Sequence, residues 1–120
     1  MDSVTIYHNP HCSKSRATLA LLKENDANPE IIYYLEMPPS HEKLVELSEK
    51  LGIGIRDLIR TSEPEYRELC LDDKGLSETT IFDIVAKHPK LIQRPIVIKG
   101  EAAILGRPPE NVLALLESKD

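Results

Sequence analysis

Residues 4–24 read VTIYHNPHCSKSRATLALLKE, and this stretch decides the fold. Residues 4–7 alternate as a short β-strand does, and Asn9-Pro10 then interrupts the extended pattern. From Ser13 to Glu24 the leucines and neighbouring alanines recur at a spacing that suits the buried face of a helix. The stretch therefore predicts a strand, a turn and a helix in succession, with Cys12 where the helix begins.

The rest of the predicted sheet comes from one later run and from the end of the chain. Residues 31–35, IIYYL, lack clean alternation and predict a second strand buried on both faces, as in a parallel β-α-β unit. Residues 96–98 and Ala102–Leu105 flank a short break at residues 99–101 and predict a β-hairpin. Pro108-Pro109 then opens a last helix.

The segment between these two parts has helical periodicity. Leucines recur at helical spacing over His41–Leu51, where Ser40 is a suitable N-cap and Gly52 a suitable end. Further helices are predicted over residues 55–60 and 77–87. The middle of the chain is therefore predicted to contain helices only.

The predicted order is β-α-β, a helical insertion over about residues 40–90, and then β-β-α. Without the insertion, this is the connectivity of a thioredoxin-like (glutaredoxin-like) α/β fold. The 120 residues are 41% hydrophobic, which is enough for one core, so residues 1–120 are expected to form a single domain. Connectivity alone does not assign chemistry, which must come from the site.

Composition excludes several classes of function. Fifteen Lys and Arg against 20 Asp and Glu give a net charge of -5, which argues against a protein that coats nucleic acid or an anionic membrane. No apolar run approaches the roughly 18 residues of a membrane span, and the first residues lack the pattern of a signal peptide. We therefore expect a cytoplasmic protein, a monomer by default, whose Cys12 and Cys70 are thiols.

Cys12 carries the strongest chemical signal in the sequence. At a helix N-terminus several backbone N–H groups lack an intrahelical partner and the dipole end is positive, so a thiolate is stabilised there. A free thiol, with a pKa of about 8.5, is only a few per cent ionised near neutral pH, so such stabilisation increases the amount of nucleophile. His8, Lys14 and Arg16 lie close in sequence and can add positive charge.

This segment has two other interpretations, and a third fails on spacing. Cys12 could be a small buried hydrophobe, although polar surroundings that contain a proline are not typical of a core. His8, His11 and Cys12 are all metal-ligand types, but one loop does not close a tetrahedral site and no second Cys/His pair follows, so no metal is expected. A phosphatase loop needs a longer spacing than the three residues between Cys12 and Arg16.

Ser15 stands where a dithiol motif places its second cysteine. Cys12 therefore has no local thiol, and a disulfide that it forms must be resolved by another molecule. Cys70 could serve in principle, but residues 68–71, ELCL, are typical of an apolar turn. We expect Cys70 to be a spectator.

Three arginines lie at the predicted edges of elements, where sites are often built. Arg60 ends the short middle helix, Arg94 precedes Pro95 at the start of a strand, and Arg107 lies between the last strand and the last helix. Each could be a solvated surface charge. If they converge on one thiolate, they form an oxyanion site in which each charge-assisted hydrogen bond contributes roughly 1.5 to 3 kcal/mol.

Over nearly its whole length the chain resembles the glutaredoxin-coupled arsenate reductase (ArsC) family. The resemblance rests on five segments: residues 6–10, residues 12–16, Arg60-Thr61, residues 90–96 (KLIQRPI) and residues 106–110 (GRPPE). It implies that Cys12 is the nucleophile, that His8 helps to lower its pKa, and that Arg60, Arg94 and Arg107 bind the oxyanion. It also implies a cis Arg94-Pro95 peptide and a supporting loop formed by Asn9, Ser13, Lys14, Ser15 and Arg16 together with Pro95.

The same resemblance implies reduction of arsenate to arsenite in the cytoplasm. Glutathione is the implied co-substrate and glutaredoxin the implied partner that resolves the mixed disulfide, with no bound cofactor and no metal. Two alternatives are another monothiol glutathione-dependent reductase and a regulator of the Spx type that binds RNA polymerase. Such regulators usually carry two cysteines in the motif, so Ser15, together with Arg60 and Arg107, weighs against that function.

Overall fold

The structure is a computed structural model, and it describes residues 3–117. The chain divides into two compact units, of which the first comprises the residues up to Met37 and those from Arg94 onward. The second comprises Pro38–Gln93. We call them the sheet unit and the helical unit. The insertion expected over about residues 40–90 lies inside the helical unit.

The elements follow the predicted alternation. In chain order they are β1 (Val4–His8), α1 (Ser13–Glu24), β2 (Glu30–Tyr33), α2 (His41–Leu51), α3 (Ile55–Leu58), α4 (Pro64–Glu68), α5 (Glu78–Lys87), a 3-10 turn (Pro89–Leu91), β3 (Ile96–Lys99), β4 (Ala102–Leu105) and α6 (Asn111–Glu117).

The four strands form one mixed sheet in the order β2-β1-β3-β4. Strand β1 pairs in parallel with β2 and antiparallel with β3, and β3 pairs antiparallel with β4. This is the thioredoxin-like arrangement that the sequence predicts. In the parallel pair His8 lies opposite Tyr33, so the end of β1 that leads to Cys12 is next to the end of the edge strand.

The core of the sheet unit follows from strand alternation. Val4 and Ile6 of β1 share one face with Val97 of β3, since residues two apart on a strand point to the same side. Leu22 of α1 and two residues of α6, Val112 and Leu115, pack on these side chains. Burial of such side chains stabilises each by about 1.5 to 3 kcal/mol relative to exposure, and it holds the first turn of α1 at the end of β1.

The first helix of the helical unit, α2, begins and ends where its capping residues predict. The Ser40 hydroxyl accepts a hydrogen bond from the amide of Lys43, and Gly52 ends α2 in the left-handed region with φ 71°. Leu44 and Leu47 are the buried residues of α2. The buried residues of α3 and α5 are Ile55, Leu58, Ile81, Phe82 and Val85.

Strand β2 is shorter and more exposed than expected. The prediction of a strand over residues 31–35 that is buried on both faces is wrong, because β2 lies at the sheet edge and its two terminal residues are exposed. After Tyr33 the chain turns, and the carbonyl of Tyr33 accepts from the amides of Glu36 and Met37. The side chains of Tyr33, Leu35 and Met37 remain exposed.

Two other boundaries differ from the sequence patterns, and two short elements were not predicted. Helix α6 begins at Asn111, not at Pro108-Pro109. Helix α3 ends at Leu58, after which Ile59 forms a bridge with Ile92 that the local pattern does not contain. Helix α4 and the 3-10 turn are too short for a recognisable period.

No helix within residues 3–117 has both the length and the apolar character required to cross a membrane.

Gly106 provides a test of how tightly the sheet unit is packed. A Cβ at this position would lie 2.6 Å from Thr18 Oγ1 and 2.8 Å from Pro95 Cγ, and both of these residues are buried. We predict that Gly106→Ala lowers the free energy of unfolding by about 1 to 3 kcal/mol through overpacking. Urea denaturation measures the change. Gly54→Ala is the control, since a Cβ there meets nothing within 4 Å; equal stability of the two variants would contradict the packing.

Candidate active site

A tight turn fixes the chain between β1 and α1. The carbonyl of Asn9 accepts from the amide of Cys12 at 3.0 Å, and Asn9 Oδ1 accepts from the amide of His11 at 3.0 Å. An asparagine side chain that bonds two residues ahead is typical of such turns. Arg16 closes the loop from the helix side, because its Nη1 donates to the carbonyl of Pro10 at 2.8 Å.

Cys12 is the N-cap of α1. Its backbone is extended, with φ -101° and ψ 122°, while its carbonyl already accepts the first helical bond from the amide of Arg16 at 3.0 Å. The thiol is partly exposed and does not make a conventional side-chain cap bond. The sulfur therefore lies at the positive end of the helix and remains accessible to a reactant.

The surroundings of the sulfur lower the pKa of Cys12. Partial burial raises the pKa, but the amide of Ser15, the charge and the hydrogen bond of Arg94, and the amide of Lys14 lower it and together outweigh the burial. The helix N-terminus that the sequence predicts as the source of activation is therefore joined by one guanidinium from another part of the chain. The thiolate fraction of Cys12 at neutral pH exceeds that of a free cysteine.

Behind the thiol, Ser15 connects β1 to α1 through a buried hydroxyl. Ser15 Oγ accepts from the amide of Asn9 at 3.1 Å and lies 2.6 Å from His8 Nδ1. The direction of the bond between Ser15 Oγ and His8 Nδ1 is set by the imidazole tautomer. Ser15 is fully buried and His8 is 4% exposed, so all three groups depend on one another for hydrogen bonds.

In the structure His8 is a neutral imidazole, whereas the sequence predicted that it adds positive charge near Cys12. Burial lowers the pKa of His8, and the nearby charges of Arg16 and Lys23 lower it further. His8 is therefore neutral at physiological pH, and it is not among the principal groups that lower the pKa of Cys12. The expectation that His8 adds positive charge next to the thiol does not agree with this state. Its ring also packs edge-on against Tyr33, with ring centres 5.9 Å apart.

Arg94 lies where the chain enters β3. The Arg94-Pro95 peptide is cis, as the resemblance implied, and the Arg107-Pro108 peptide is also cis. Arg94 Nε is buried and has no hydrogen-bond acceptor among residues 3–117. Since a buried donor without an acceptor is costly, this nitrogen is suited to an acceptor that a bound anion supplies.

Arg107 is tied to the same segment. Its Nη1 donates to the carbonyl of Arg94 at 3.2 Å, and the amide of Gly106 donates to the carbonyl of Pro95 at 2.9 Å. Asn111 Nδ2 reaches the carbonyl of Arg107 at 3.2 Å. The structure therefore brings two of the three expected arginines together on adjoining segments of the sheet unit.

Arg60 belongs to the helical unit. Its amide donates to the carbonyl of Leu91 at 2.7 Å, and its Nη1 forms a short ion pair with Glu63 Oε1. The side chain is partly buried, with 18% exposure. Its assignment to the oxyanion site stays a prediction from the resemblance.

The remaining loop residues divide into buried and exposed groups. Asn9, Ser15 and Pro95 are buried and shape the loop, whereas Ser13, Lys14 and Arg16 are exposed. Lys14 contributes its backbone amide to the thiolate and its carbonyl to Thr18 Oγ1 at 2.8 Å.

Sequence reasoning did not identify Thr18, Tyr33 and Asn111 as supports of this site. Each is brought to the site by a hydrogen bond or a ring contact across the fold. A polar residue at a helical core position is a weak signal that could have pointed to Thr18, which is 0% exposed.

The other candidate chemistry in the chain is limited. Within residues 3–117 no cluster of three or more His, Cys, Asp or Glu side chains is arranged to hold a metal ion. Cys70 is an exposed free thiol in the helical unit, at φ 56° in a turn after α4. It is not in an apolar core.

An activated cysteine at the first turn of α1, next to Arg94 and on a sheet of order β2-β1-β3-β4, defines a thioredoxin-like protein with an activated thiol at the start of its first helix. Comparison with known proteins then shows the family. The ArsC family profile matches residues 7–115, and the chain belongs to this family.

Similar proteins cover almost the whole chain. An arsenate reductase of Haemophilus influenzae is 49% identical over 115 residues, which are 95% of this chain and 99% of the relative. Uncharacterized protein YfgD of Escherichia coli is 48% identical over 94% of this chain and 96% of its own length. The solved structure of an arsenate reductase from Vibrio cholerae superposes with a TM-score of 0.92 at 51% identity, covering 94% of this chain and 97% of that one.

The buried Ser15 hydroxyl gives a prediction about stability. Ser15→Ala leaves His8 Nδ1 and the Asn9 amide buried without a hydrogen-bond partner. The free energy of unfolding should therefore fall by about 1 to 3 kcal/mol. Ser13→Ala, an exposed serine in the same turn, should change stability by less than about 0.5 kcal/mol. Thermal and urea unfolding measure both variants. Equal stabilities would show that the buried hydroxyl network is unimportant.

Arg94 gives a prediction about the pKa of Cys12. Arg94→Ala should raise the pKa of Cys12, because the variant loses both a positive charge and a hydrogen bond at the sulfur. Lys14→Ala is the control, since it removes an exposed charge next to Cys12 but keeps the backbone amide. The pH dependence of iodoacetamide alkylation measures the pKa. A Cys12 pKa that is as low in Arg94→Ala as in Lys14→Ala would contradict the contact.

Proposed function

We propose that the protein reduces arsenate to arsenite with Cys12 as the nucleophile, glutathione as co-substrate and glutaredoxin as the reducing partner. The observation that carries the proposal is the pairing of an activated thiol with a guanidinium whose buried Nε has no acceptor among residues 3–117. An anion bound to this guanidinium is held beside the sulfur. The arsenate reductases among the relatives supply the substrate class.

In the first step the Cys12 thiolate attacks arsenic and forms a sulfur–arsenic bond. An arsenate hydroxyl group takes up a proton from solvent, its arsenic–oxygen bond breaks and it leaves as water, so arsenic remains pentavalent. Arg94 and Arg107 neutralise the oxygens as charge develops, a role that is worth most where the donors are already in place. Arg60 shares this role in the proposal through the resemblance alone.

In the second step glutathione provides the electrons. Its thiolate forms a sulfur–sulfur bond with Cys12, the sulfur–arsenic bond breaks, and the two electrons reduce arsenic to the trivalent state. Arsenite leaves. Glutaredoxin then takes glutathione from the mixed disulfide by thiol exchange and restores the Cys12 thiol, which fits a motif that has Ser15 in place of a second cysteine.

His8 and Ser15 hold the loop in this proposal and do not transfer a proton to substrate. Both are buried, His8 Nδ1 is paired with Ser15 Oγ, and the same oxygen accepts from the Asn9 amide. A neutral His8 avoids a second positive charge in the buried layer beneath the sulfur. The role of both residues is therefore positional.

The place of action is part of the same proposal. Glutathione is abundant in the reducing cytoplasm, where Cys12 and Cys70 stay reduced. We propose a cytoplasmic monomer that meets glutaredoxin transiently through the exposed thiol.

The proposed function is tested by arsenate-dependent NADPH consumption with glutathione, glutaredoxin and glutathione reductase present. We expect turnover by the wild-type protein and none by Cys12→Ser, since no other group replaces the nucleophile. Cys70→Ser is the matched control and should retain full activity, because Cys70 is exposed and takes no part in the proposed steps.

Two results would contradict the proposal. Activity in Cys12→Ser would exclude the nucleophile. A wild-type protein with a reactive Cys12 but no turnover would exclude arsenate and indicate a different electrophile.

A further inference from the structure

The large apolar side chains that the protein exposes are gathered in one segment. Within residues 3–117 they are Tyr33, Leu35 and Met37, with exposed fractions of 42%, 36% and 72%. They lie at the end of β2 and in the turn that follows it, and we call them the β2 patch. Side chains with these exposed fractions present on the order of 300 Å² of surface, a size at which an apolar patch on a monomer is often functional.

Backbone hydrogen bonds shape the β2 patch. The carbonyl of Tyr33 accepts from the amides of both Glu36 and Met37 at 2.9 Å, which closes the turn. Tyr34 is 1% exposed, so its side chain anchors the turn while the patch residues on either side of it remain exposed. Because the turn is already formed, little conformational freedom is lost when a partner covers the patch.

The β2 patch adjoins the reactive thiol within the sheet unit. Tyr33 pairs with His8 in the parallel ladder, and paired residues share one face of a sheet. That face carries α1, because His8 Nδ1 is bonded to Ser15 Oγ in the first turn of the helix. The rings of Tyr33 and His8 lie 5.9 Å apart. The patch therefore begins beside the loop that presents the Cys12 sulfur.

The chemistry of the patch favours a protein over a small polar thiol. Glu36 is exposed between Leu35 and Met37 and adds one carboxylate to an otherwise apolar surface. Glutathione is anionic and polar, so it gains little from apolar contact and is repelled by Glu36. The same carboxylate and the net charge of -5 disfavour an anionic membrane. The complementary surface is therefore apolar, with a cationic group opposite Glu36.

The size of the patch distinguishes a brief encounter from a lasting one. A stable interface buries about 800 Å² on each partner, whereas weak redox encounters bury less. A patch on the order of 300 Å² is too small for a permanent dimer of this chain. It suits a partner that must leave after each turnover.

We propose that the β2 patch is the docking surface for glutaredoxin when it releases glutathione from Cys12. The inference rests on the proposed function, in which a mixed disulfide of Cys12 and glutathione forms. The glutaredoxin thiolate bonds to the glutathione sulfur, the bond between that sulfur and Cys12 breaks, and Cys12 leaves as a thiolate. The attacking cysteine thus approaches a sulfur attached to Cys12, and the protein surface around that cysteine covers the patch.

The test isolates this step on the mixed disulfide of Cys12 and glutathione, prepared in a Cys70→Ser parent so that Cys12 is the only thiol. The variant combines Leu35→Ser with Met37→Ser, which removes exposed apolar surface without a change in charge. We expect its second-order rate constant with glutaredoxin to fall by about five- to twentyfold. The rate constant with dithiothreitol should be unchanged, because a small thiol needs no docking surface. Mass spectrometry measures the loss of glutathione.

Leu113→Ser in the same parent is the matched control. Leu113 is only partly buried, and its helix α6 packs on β3 and β4, on the other side of the sheet from β2. This variant should keep the glutaredoxin rate constant of the parent. Met37→Lys changes a single side chain that is 72% exposed. It should show the same selective loss, so a folding defect in the double variant would not obscure the result.

Three results would overturn the inference. One is an equal glutaredoxin rate constant in the parent and the patch variants. Another is an equal fall with dithiothreitol, which would assign the effect to Cys12 itself. The third is a dimer of the parent, detected by light scattering, that the double variant dissociates, since a second copy would then cover the patch.

The arsenate assay remains a separate test. Absence of arsenate turnover contradicts the proposed function, whatever the patch variants do. The rate constants on the prepared disulfide decide the docking surface, whether or not arsenate is turned over. A fall with glutaredoxin alone that Leu113→Ser does not reproduce supports it.

Discussion

The position of the Cys12 sulfur at the first turn of α1 is the constraint on which the rest of the site depends. Two groups behind it enforce that position: the Asn9 turn, which receives the Cys12 amide, and the buried Ser15 hydroxyl, which joins Asn9 to His8. Packing of α1 on β1 holds the helix start in place. The residues that hold the backbone amides at the sulfur are therefore the same residues that build the fold.

Electrostatics then decide what the thiol can do. Burial opposes ionisation of Cys12, while the amides of the first turn and Arg94 favour it and prevail. The layer beneath the sulfur is kept neutral, because burial and the neighbouring cations hold the pKa of His8 down. Positive charge is thus concentrated on the side where Arg94 meets the sulfur. On that side the guanidinium offsets the repulsion between the thiolate and an approaching anion.

Local patterns were sufficient for much of the fold. Helix α1, the caps of α2 and the hairpin of β3 and β4 agree with the sequence because each is stabilised by residues close in the chain. The burial of β2 was mispredicted, since an apolar run does not reveal that a strand lies at a sheet edge. For the site, the pattern of a turn followed by the start of a helix was enough to identify Cys12 as the candidate nucleophile. The charge state of His8 and the pairing of Arg60 with Glu63 depend on burial and side-chain direction, which spacing does not encode.

The most direct test of the account is a pH titration of thiolate absorbance on Cys70→Ser, a variant in which Cys12 is the only thiol. The account predicts that the pKa of Cys12 is lower than that of a free cysteine, because the amides of the first turn and Arg94 stabilise the thiolate. A Cys12 pKa at or above the free value would contradict the claim that the helix start and Arg94 activate the thiol.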